Sequence, residues 1–384
     1  MRLLHVVGSA RLESGGPIEG IRQRAAILKK MGHSVEVVTL DAPGASDLQD
    51  LGLTVHALGP TVTQYKYCSR LVPWLREHHA DYDVLIVNGI WEYHGWGVRK
   101  VARQFNMPYF VFTHGMLDPW FNKTYPLKKL KKLPFWPSQH AVLRDAKAVL
   151  FTTEEERIAA RESFRPYHVV ERVVPYGTAA PPPPSAAQDK AIDELIPVAK
   201  DRRVILYLGR IHPKKGVDLL IQAFAKVFGD RPDWLLVVAG PDHIGWGVEL
   251  AKEAAKLGIG ERVVWPGMVR GDAKWGAYRK ADAFILPSHQ ENFGISVAEA
   301  LASGTPVLIT DKVNIWREVK ADEAGIVEPD TLEGVVKLLE RLKAMSAEEL
   351  ETMGRRAAAC FAAHFEVSRM ATGLLEVIEE LAHL

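Results

Sequence analysis

Cysteine is almost absent: Cys68 and Cys360 are the only two in 384 residues, and they lie far apart in sequence. That excludes a disulfide framework, speaks against a thiolate metal site, and makes a reducing cytoplasm the expected compartment. A dominant charge sign is missing as well, since 48 lysines and arginines face 47 aspartates and glutamates, a formal net charge of +1. Nucleic acid is therefore not an expected partner, and any electrostatic partner must be engaged by a local patch. No stretch reaches the ~18 apolar residues of a membrane span. The apolar core of Met1–Ala10 falls short of the ~7–15 residues of a secretion signal and reads as a first strand. Short-period repeats are absent, and low complexity is confined to the prolines of 181–184.

What is present is a core-forming composition, 47% hydrophobic, at a length that favours two domains over one. Short Val/Ile/Leu runs at Leu3–Gly8, Val35–Leu40, Val84–Val87, Tyr109–Phe112 and Ala148–Phe151 alternate with helical patterns such as Ile18–Met31 and Trp96–Phe105. Near-continuous apolar strands separated by helices predict an α/β fold with parallel sheets covered on both faces. Four consecutive prolines can continue neither a helix nor a central strand, so 179–190 reads as a stiff connection. Beyond it the alternation restarts at Val204–Leu208 and runs on through Leu235–Ala239, Ala283–Leu286 and Val307–Ile309. Two Rossmann-like halves follow, with a ligand cleft expected between them at the carboxyl ends of the strands.

The most informative stretch is Pro287–Glu299, continued by Gly304-Thr-Pro306-Val. It sets Glu291 and Glu299 eight positions apart around an Asn292-Phe293-Gly294-Ile295 turn, between an apolar strand and a helix. Glycine there lets backbone approach a ligand, and the helix start offers free N–H groups and a positive dipole end. The two carboxylates could read different hydroxyls of one nucleotide sugar. Taken singly, each glutamate is as well explained as a surface helix residue. Arg210 and Lys215 sit in Gly209-Arg-Ile-His-Pro-Lys-Lys-Gly216, on the turn after the first strand of the second half. Arginine as a bidentate fork and lysine as a point charge suit a diphosphate, although both could be solvated loop charges. His114, in Thr113-His-Gly115, follows a buried strand and faces the expected cleft, where a lone histidine is as often structural. Gly15-Gly16 is, at the least, the first βα turn.

In this order the Gly209–Gly216 turn, the Glu291–Glu299 segment and Thr113-His114-Gly115 resemble the family 4 retaining glycosyltransferases of the GT-B fold. The likeness covers most of the chain and is stronger in the second half. It implies an acceptor-side domain over 1–178 completed by a terminal helix 365–384, the linker 179–190, and a nucleotide-sugar-binding domain over 191–364, the parallel sheets facing across a central cleft. It implies that Arg210 and Lys215 hold the donor diphosphate as it leaves, that Glu291 lies by the donor sugar, and that Glu299 accepts from the ribose hydroxyls. Backbone at Asn292, Phe293, Gly294 and Ile295 would meet sugar and phosphates, and His114 would contact the sugar near its reacting carbon. Gly15 and Gly16 would let phosphate and acceptor meet the chain closely, with Val269 against the base and Lys274 near it. The implied activity is hexosyl transfer with retention, from a nucleoside-diphosphate sugar to a carbohydrate or lipid-linked glycan, in cell-surface polysaccharide or glycolipid synthesis.

No cofactor and no metal for chemistry are expected. Asp81-Tyr-Asp83 imitates a metal motif but precedes a strand instead of following one, so it reads as a strand-start cap. His5, His33, His56, His78, His79 and His140 show no metal-ligand spacing and are assigned core or surface roles. The segment 122–136 sets Lys123, Lys128, Lys129, Lys131 and Lys132 among leucines and aromatics including Trp136. Basic charge interleaved with apolar anchors suits the anionic inner face of a membrane, or else an acceptor groove or a solvated helix face. The segment Tyr176-Gly-Thr-Ala179 departs from the family's usual Asn-Gly-apolar-Asp hinge. The GT-B fold also hosts a nucleotide-sugar 2-epimerase, the alternative function, and a silent sugar-nucleotide-binding subunit is a third reading.

Overall fold

The computed structural model describes residues 1–11, 16–44, 48 and 51–382. The chain divides into two compact units, Met1–Gly177 with Val367–Leu384, and Thr178–Glu366. In the first unit the strands are β1 (Arg2–Val7), β2 (Ser34–Thr39), β3 (Thr54–Ala57), β4 (Val84–Asn88), β5 (Tyr109–Phe112), β6 (Ala148–Phe151) and β7 (Glu171–Val173). They form one sheet in the order β3-β2-β1-β4-β5-β6-β7, and every pairing is parallel. All residues of β4, β5 and β6 are buried, which is why these runs do not alternate in polarity: helices cover both faces.

The second unit repeats the plan with β8 (Arg203–Leu208), β9 (Trp234–Ala239), β10 (Val263–Gly267), β11 (Ala283–Leu286), β12 (Val307–Thr310) and β13 (Gly325–Glu328). Its order is β10-β9-β8-β11-β12-β13, again parallel. Each sheet reverses its winding once, at β1/β4 and at β8/β11. Such a switch point opens a crevice outside the carboxyl ends of the strands, because the adjoining connections leave to opposite faces. The polyproline run opens the second unit, and the helix Ala186–Leu195 begins inside the stretch read as linker.

The terminal helix Val367–Ala382 belongs to the first unit. Its Leu374 and Ile378 join Leu3, Ile86, Phe110 and Phe112 in one apolar cluster, and Ala371 and Leu375 pack with Leu28 of the helix Gly16–Lys30. Gly373 lies against Pro175, where a Cβ would come within 2.8 Å of the proline ring. Asp83 caps the start of the central strands as the sequence predicts, accepting from the Arg2 amide at 2.7 Å.

Candidate active site

In the second unit the predicted residues gather at the switch point. Lys215 closes the short 3-10 turn Pro213–Lys215 after β8. The next residue, Gly216, has φ +67°, and a Cβ there would stand 2.1 Å from the Pro287 carbonyl oxygen. Only glycine lets this turn rest on the end of β11, and that close approach delivers Lys215 to Glu291, with which it forms an ion pair. The backbone of Glu291 is fixed in turn by Lys312–Asn314: its N–H donates to the Lys312 carbonyl at 2.9 Å and its own carbonyl accepts from Asn314 at 3.1 Å. Burial, and then the neighbouring charges of Lys214 and Arg210, push the Lys215 ammonium below its ordinary value. The Glu291 carboxylate faces it as the counter-charge. Arg210 follows β8 with its guanidinium exposed, and its carbonyl is anchored by the buried Tyr207 hydroxyl at 2.7 Å.

Glu299 makes a second pair. One carboxylate oxygen accepts from Lys274 Nζ at 2.7 Å and the other from the Tyr278 hydroxyl at 3.0 Å. Lys274 also lies over the Trp275 ring, 4.2 Å from its centre. Between the two glutamates the chain turns through Gly294, φ +81°, into the helix Ile295–Ala302. Phe293 is 5% exposed and packs edge-on against Phe365, so the turn presents backbone and not this side chain. Val269, 6% exposed, likewise turns its side chain into the core. Beside its loop opens a cavity of about 560 Å³ lined by Ile211, Pro241, Val248, Trp265 and Met268, among others.

The first unit holds a different constellation. His114 follows β5 in a left-handed conformation, φ +48°. Its Nε2 lies 3.2 Å from Asn88 Oδ1, and Asn88 Nδ2 lies 3.0 Å from His5 Nδ1, a chain running from β5 through the end of β4 to β1. With Nε2–H donating to the amide oxygen, Nδ1 of His114 carries the lone pair. The loop is locked from behind by Glu156, 3% exposed. Its carboxylate accepts from the Thr113 hydroxyl (2.7 Å), the Gly115 amide (2.6 Å), and the Thr152 amide and hydroxyl (both 2.8 Å). Arg24 is 1% exposed, and none of its three guanidinium nitrogens has a hydrogen-bond partner. It lies over the Phe112 ring at 4.9 Å. Burial, then the Arg24 charge, lowers His114 to about 3, so its ring is neutral. Arg24 itself is lowered to about 10 by burial.

One sequence reading changes. Trp136 does not belong to a surface patch: it is 2% exposed and, at the first position of the helix Trp136–Arg144, stacks on Phe164 at 4.9 Å. His5, assigned a plain core or surface role, supports His114 through Asn88. Lys274 is engaged by Glu299. Gly15 lies outside the described residues, and Gly16 opens the helix Gly16–Lys30. Of the basic segment, Lys123, Lys128 and Lys131 are exposed, while Lys129 and Lys132 are half-buried, Lys132 lying over the Trp91 ring at 4.6 Å. Asn88, Glu156, Arg24 and Tyr278 were not singled out from sequence. For Glu156 a signal existed: Thr153-x-x-Glu156 is a capping-box spacing, and the Thr153 hydroxyl does accept the Glu156 amide at 3.1 Å.

The chain is similar to known proteins. A family model for glycosyl transferases group 1 matches residues 188–359, and one for a glycosyl transferase 4-like domain matches 15–177. The lipopolysaccharide core biosynthesis mannosyltransferase LpsB of Rhizobium meliloti is 34% identical over 135 residues, 33% of this chain and 38% of that protein. The D-inositol 3-phosphate glycosyltransferase of Nocardia farcinica is 34% identical over 191 residues, 47% and 41% of the two chains. The match thus spans about two fifths of these relatives' length. Among solved structures, Thermosynechococcus elongatus sucrose-phosphate synthase superposes with TM-score 0.77 at 20% identity over 99% of both chains. Anabaena HepE, solved with UDP and glucose, does so with TM-score 0.78 at 18% identity over 99% of this chain and 100% of that one.

Proposed function

From its membership of the group 1, family 4-like glycosyltransferases of GT-B fold, we propose that this chain transfers a hexosyl group, with retention of configuration and without a metal for chemistry, from a nucleoside-diphosphate sugar to a carbohydrate or lipid-linked glycan. The observation that carries this reading is the doubled lysine–carboxylate arrangement, Lys215 with Glu291 and Lys274 with Glu299, bracketing the Gly294 turn at a switch point. Lys215, sunk beside an exposed Arg210, gains a second counter-charge when a diphosphate arrives. As the glycosidic bond breaks, negative charge grows on the leaving oxygen, and cations fixed beforehand stabilise it without reorganisation. That oxygen then takes the proton of the attacking hydroxyl on the same face, so no side chain need act as nucleophile. Glu299, gripped by Lys274 and Tyr278, is oriented to accept from ribose hydroxyls, and the nearby cavity has room for the base. His114, neutral and held in one tautomer, orients the sugar without adding positive charge where the anomeric carbon already develops it.

Support for a glycan acceptor comes from relatives named for lipopolysaccharide core synthesis. The basic segment adds a location. Leu127, Leu130 and Phe135 are 73%, 60% and 58% exposed beside Lys128 and Lys131, which suits peripheral docking on an anionic membrane; no described helix is long and apolar enough to cross one. Co-sedimentation with anionic vesicles at low salt, lost in Leu127→Glu/Leu130→Glu, is expected; absence of binding in the unmodified protein overturns the docking alone.

The test of function is incubation with UDP-, GDP- and ADP-sugars, with and without a lipid-linked glycan extract, followed by NMR of the product. Acceptor-dependent release of nucleoside diphosphate with a retained anomer is expected. Conversion of the donor sugar to its 2-epimer without acceptor would instead establish the isomerase, and inertness towards every donor a binding subunit.

A further inference from the structure

Three metal-ligating side chains that no part of the transfer chemistry uses meet where the second unit ends, and a fourth, Glu318, lies one helical turn before one of them. Cys360 is the last residue of the helix Ala347–Cys360 and is 0% exposed. His364 follows it by four positions, in the π-helical segment Phe361–Phe365. Asp322 caps the helix Trp316–Ala321, and Glu318 precedes Asp322 by four positions on that helix. The helices pack against one another, and residues four apart share a helix face. Two such pairs therefore converge. The His364 Nε2 to Asp322 Oδ2 distance is 3.0 Å, and the ligand atoms of Asp322, Cys360 and His364 all lie within 4.8 Å of one another. Ligands at ~2.0–2.3 Å from a tetrahedral zinc ion stand roughly 3.3–3.8 Å apart, so binding one ion draws the widest pair in by no more than about 1.5 Å. Glu318 contributes a buried Oε2 with no hydrogen-bond partner, the fourth donor such an ion would accept.

We propose that Glu318, Asp322, Cys360 and His364 form a structural zinc site. One thiolate, one imidazole and two carboxylates are a donor set for a borderline ion; calcium or magnesium would seek oxygens alone. On binding, the Cys360 S–H proton leaves to solvent as the thiolate ligates the metal. In the metal-free chain the thiol hydrogen-bonds Asp322, and burial with that bond holds its pKa above the usual range; the thiol–carboxylate–imidazole contacts satisfy three of the four groups and leave Glu318 Oε2 unsatisfied. A π-turn within a helix is uncommon and marks sites where a side chain must be re-aimed, and here it carries His364. The residue after His364 extends the consequence. Phe365 meets Phe293 of the candidate donor turn edge-on, 5.7 Å between ring centres, and its carbonyl accepts the Thr178 amide at 3.0 Å. A loaded site would steady the donor turn from behind without touching substrate.

The test uses the full chain, stripped with chelator and titrated with zinc, with bound metal measured directly and melting followed in parallel. One zinc per chain and a rise in melting temperature are expected, and cobalt(II) in its place should show thiolate-to-metal charge-transfer absorption. Cys360→Ala should abolish that absorption, and the half-exposed His364→Gln, which spares the buried thiol, should weaken zinc binding at least about tenfold. Cys68→Ala should change nothing. Absence of stoichiometric zinc in the unmodified protein, or uptake that survives Cys360→Ala and His364→Gln unchanged, overturns the site.

Discussion

The two constellations hold their charges in opposite ways. In the second unit's, both site lysines have an acid against them: Lys215 with Glu291, Lys274 with Glu299. In the first, Arg24 lies buried without a partner, over an aromatic face and near two neutral histidines. A paired cation can exchange its partner for a ligand anion at modest cost. An unpaired one destabilises the fold and lowers the proton affinity of its neighbours. The difference teaches that one unit is set up to accept negative charge, and the other to keep an imidazole uncharged.

The comparison breaks most visibly at Lys215. Lys215→Ala removes a cation aimed at the leaving diphosphate and should lower kcat/KM by about 10²–10³, as loss of one preorganised charge does, measured by initial rates at saturating acceptor. An equal rate would remove the second unit from the chemistry. Glu156→Ala removes the acceptor of four hydrogen bonds, two from the His114 loop and two from Thr152, and leaves two buried backbone amides unpaired. It should cost about 3 kcal/mol in a denaturant titration; a cost near zero would mean the loop is held otherwise. Arg24→Leu should raise stability by about 2 kcal/mol, because an uncompensated buried charge gives way to an apolar side chain in the same space.

A more gradual effect is in pH. His114 is lowered to about 3 in the fold against ~6.5 in the unfolded chain, so between these values protons prefer the unfolded state. The stability this group contributes is complete above pH 6.5 and is lost progressively as pH falls, at no more than about 1.4 kcal/mol per pH unit. His114→Gln should flatten the acid limb of melting temperature against pH by that share; an unchanged limb would show that His5 alone carries it.

Much of this was legible in the sequence, and the reason is local. Runs such as Val84–Val87 and Ala283–Leu286 fix their own strands, since a segment covered on both faces must be apolar throughout. The glutamates of Glu291–Glu299 and the lysine of the Gly209–Gly216 turn announce themselves by spacing around glycines. The first unit's network was not legible, because its partners are far apart in the chain: His5 meets Asn88 across 83 positions, and Glu156 reaches Thr113 across 43. Trp136 was misread for a related reason. Its neighbours in sequence are lysines and leucines, but its neighbours in space are Trp91 and Phe164. Cys360, discounted as one of two distant cysteines, meets Asp322 and His364 only once two helices pack.

The most direct measurement is the affinity of UDP, GDP and ADP by isothermal titration, for the unmodified chain, Lys215→Ala and Glu299→Gln. One nucleoside diphosphate bound per chain is expected, weakened at least tenfold by each substitution (about 1.4 kcal/mol), with the folded state intact. Unaltered affinity in both variants would place the donor away from the two lysine–carboxylate pairs and contradict the proposed site.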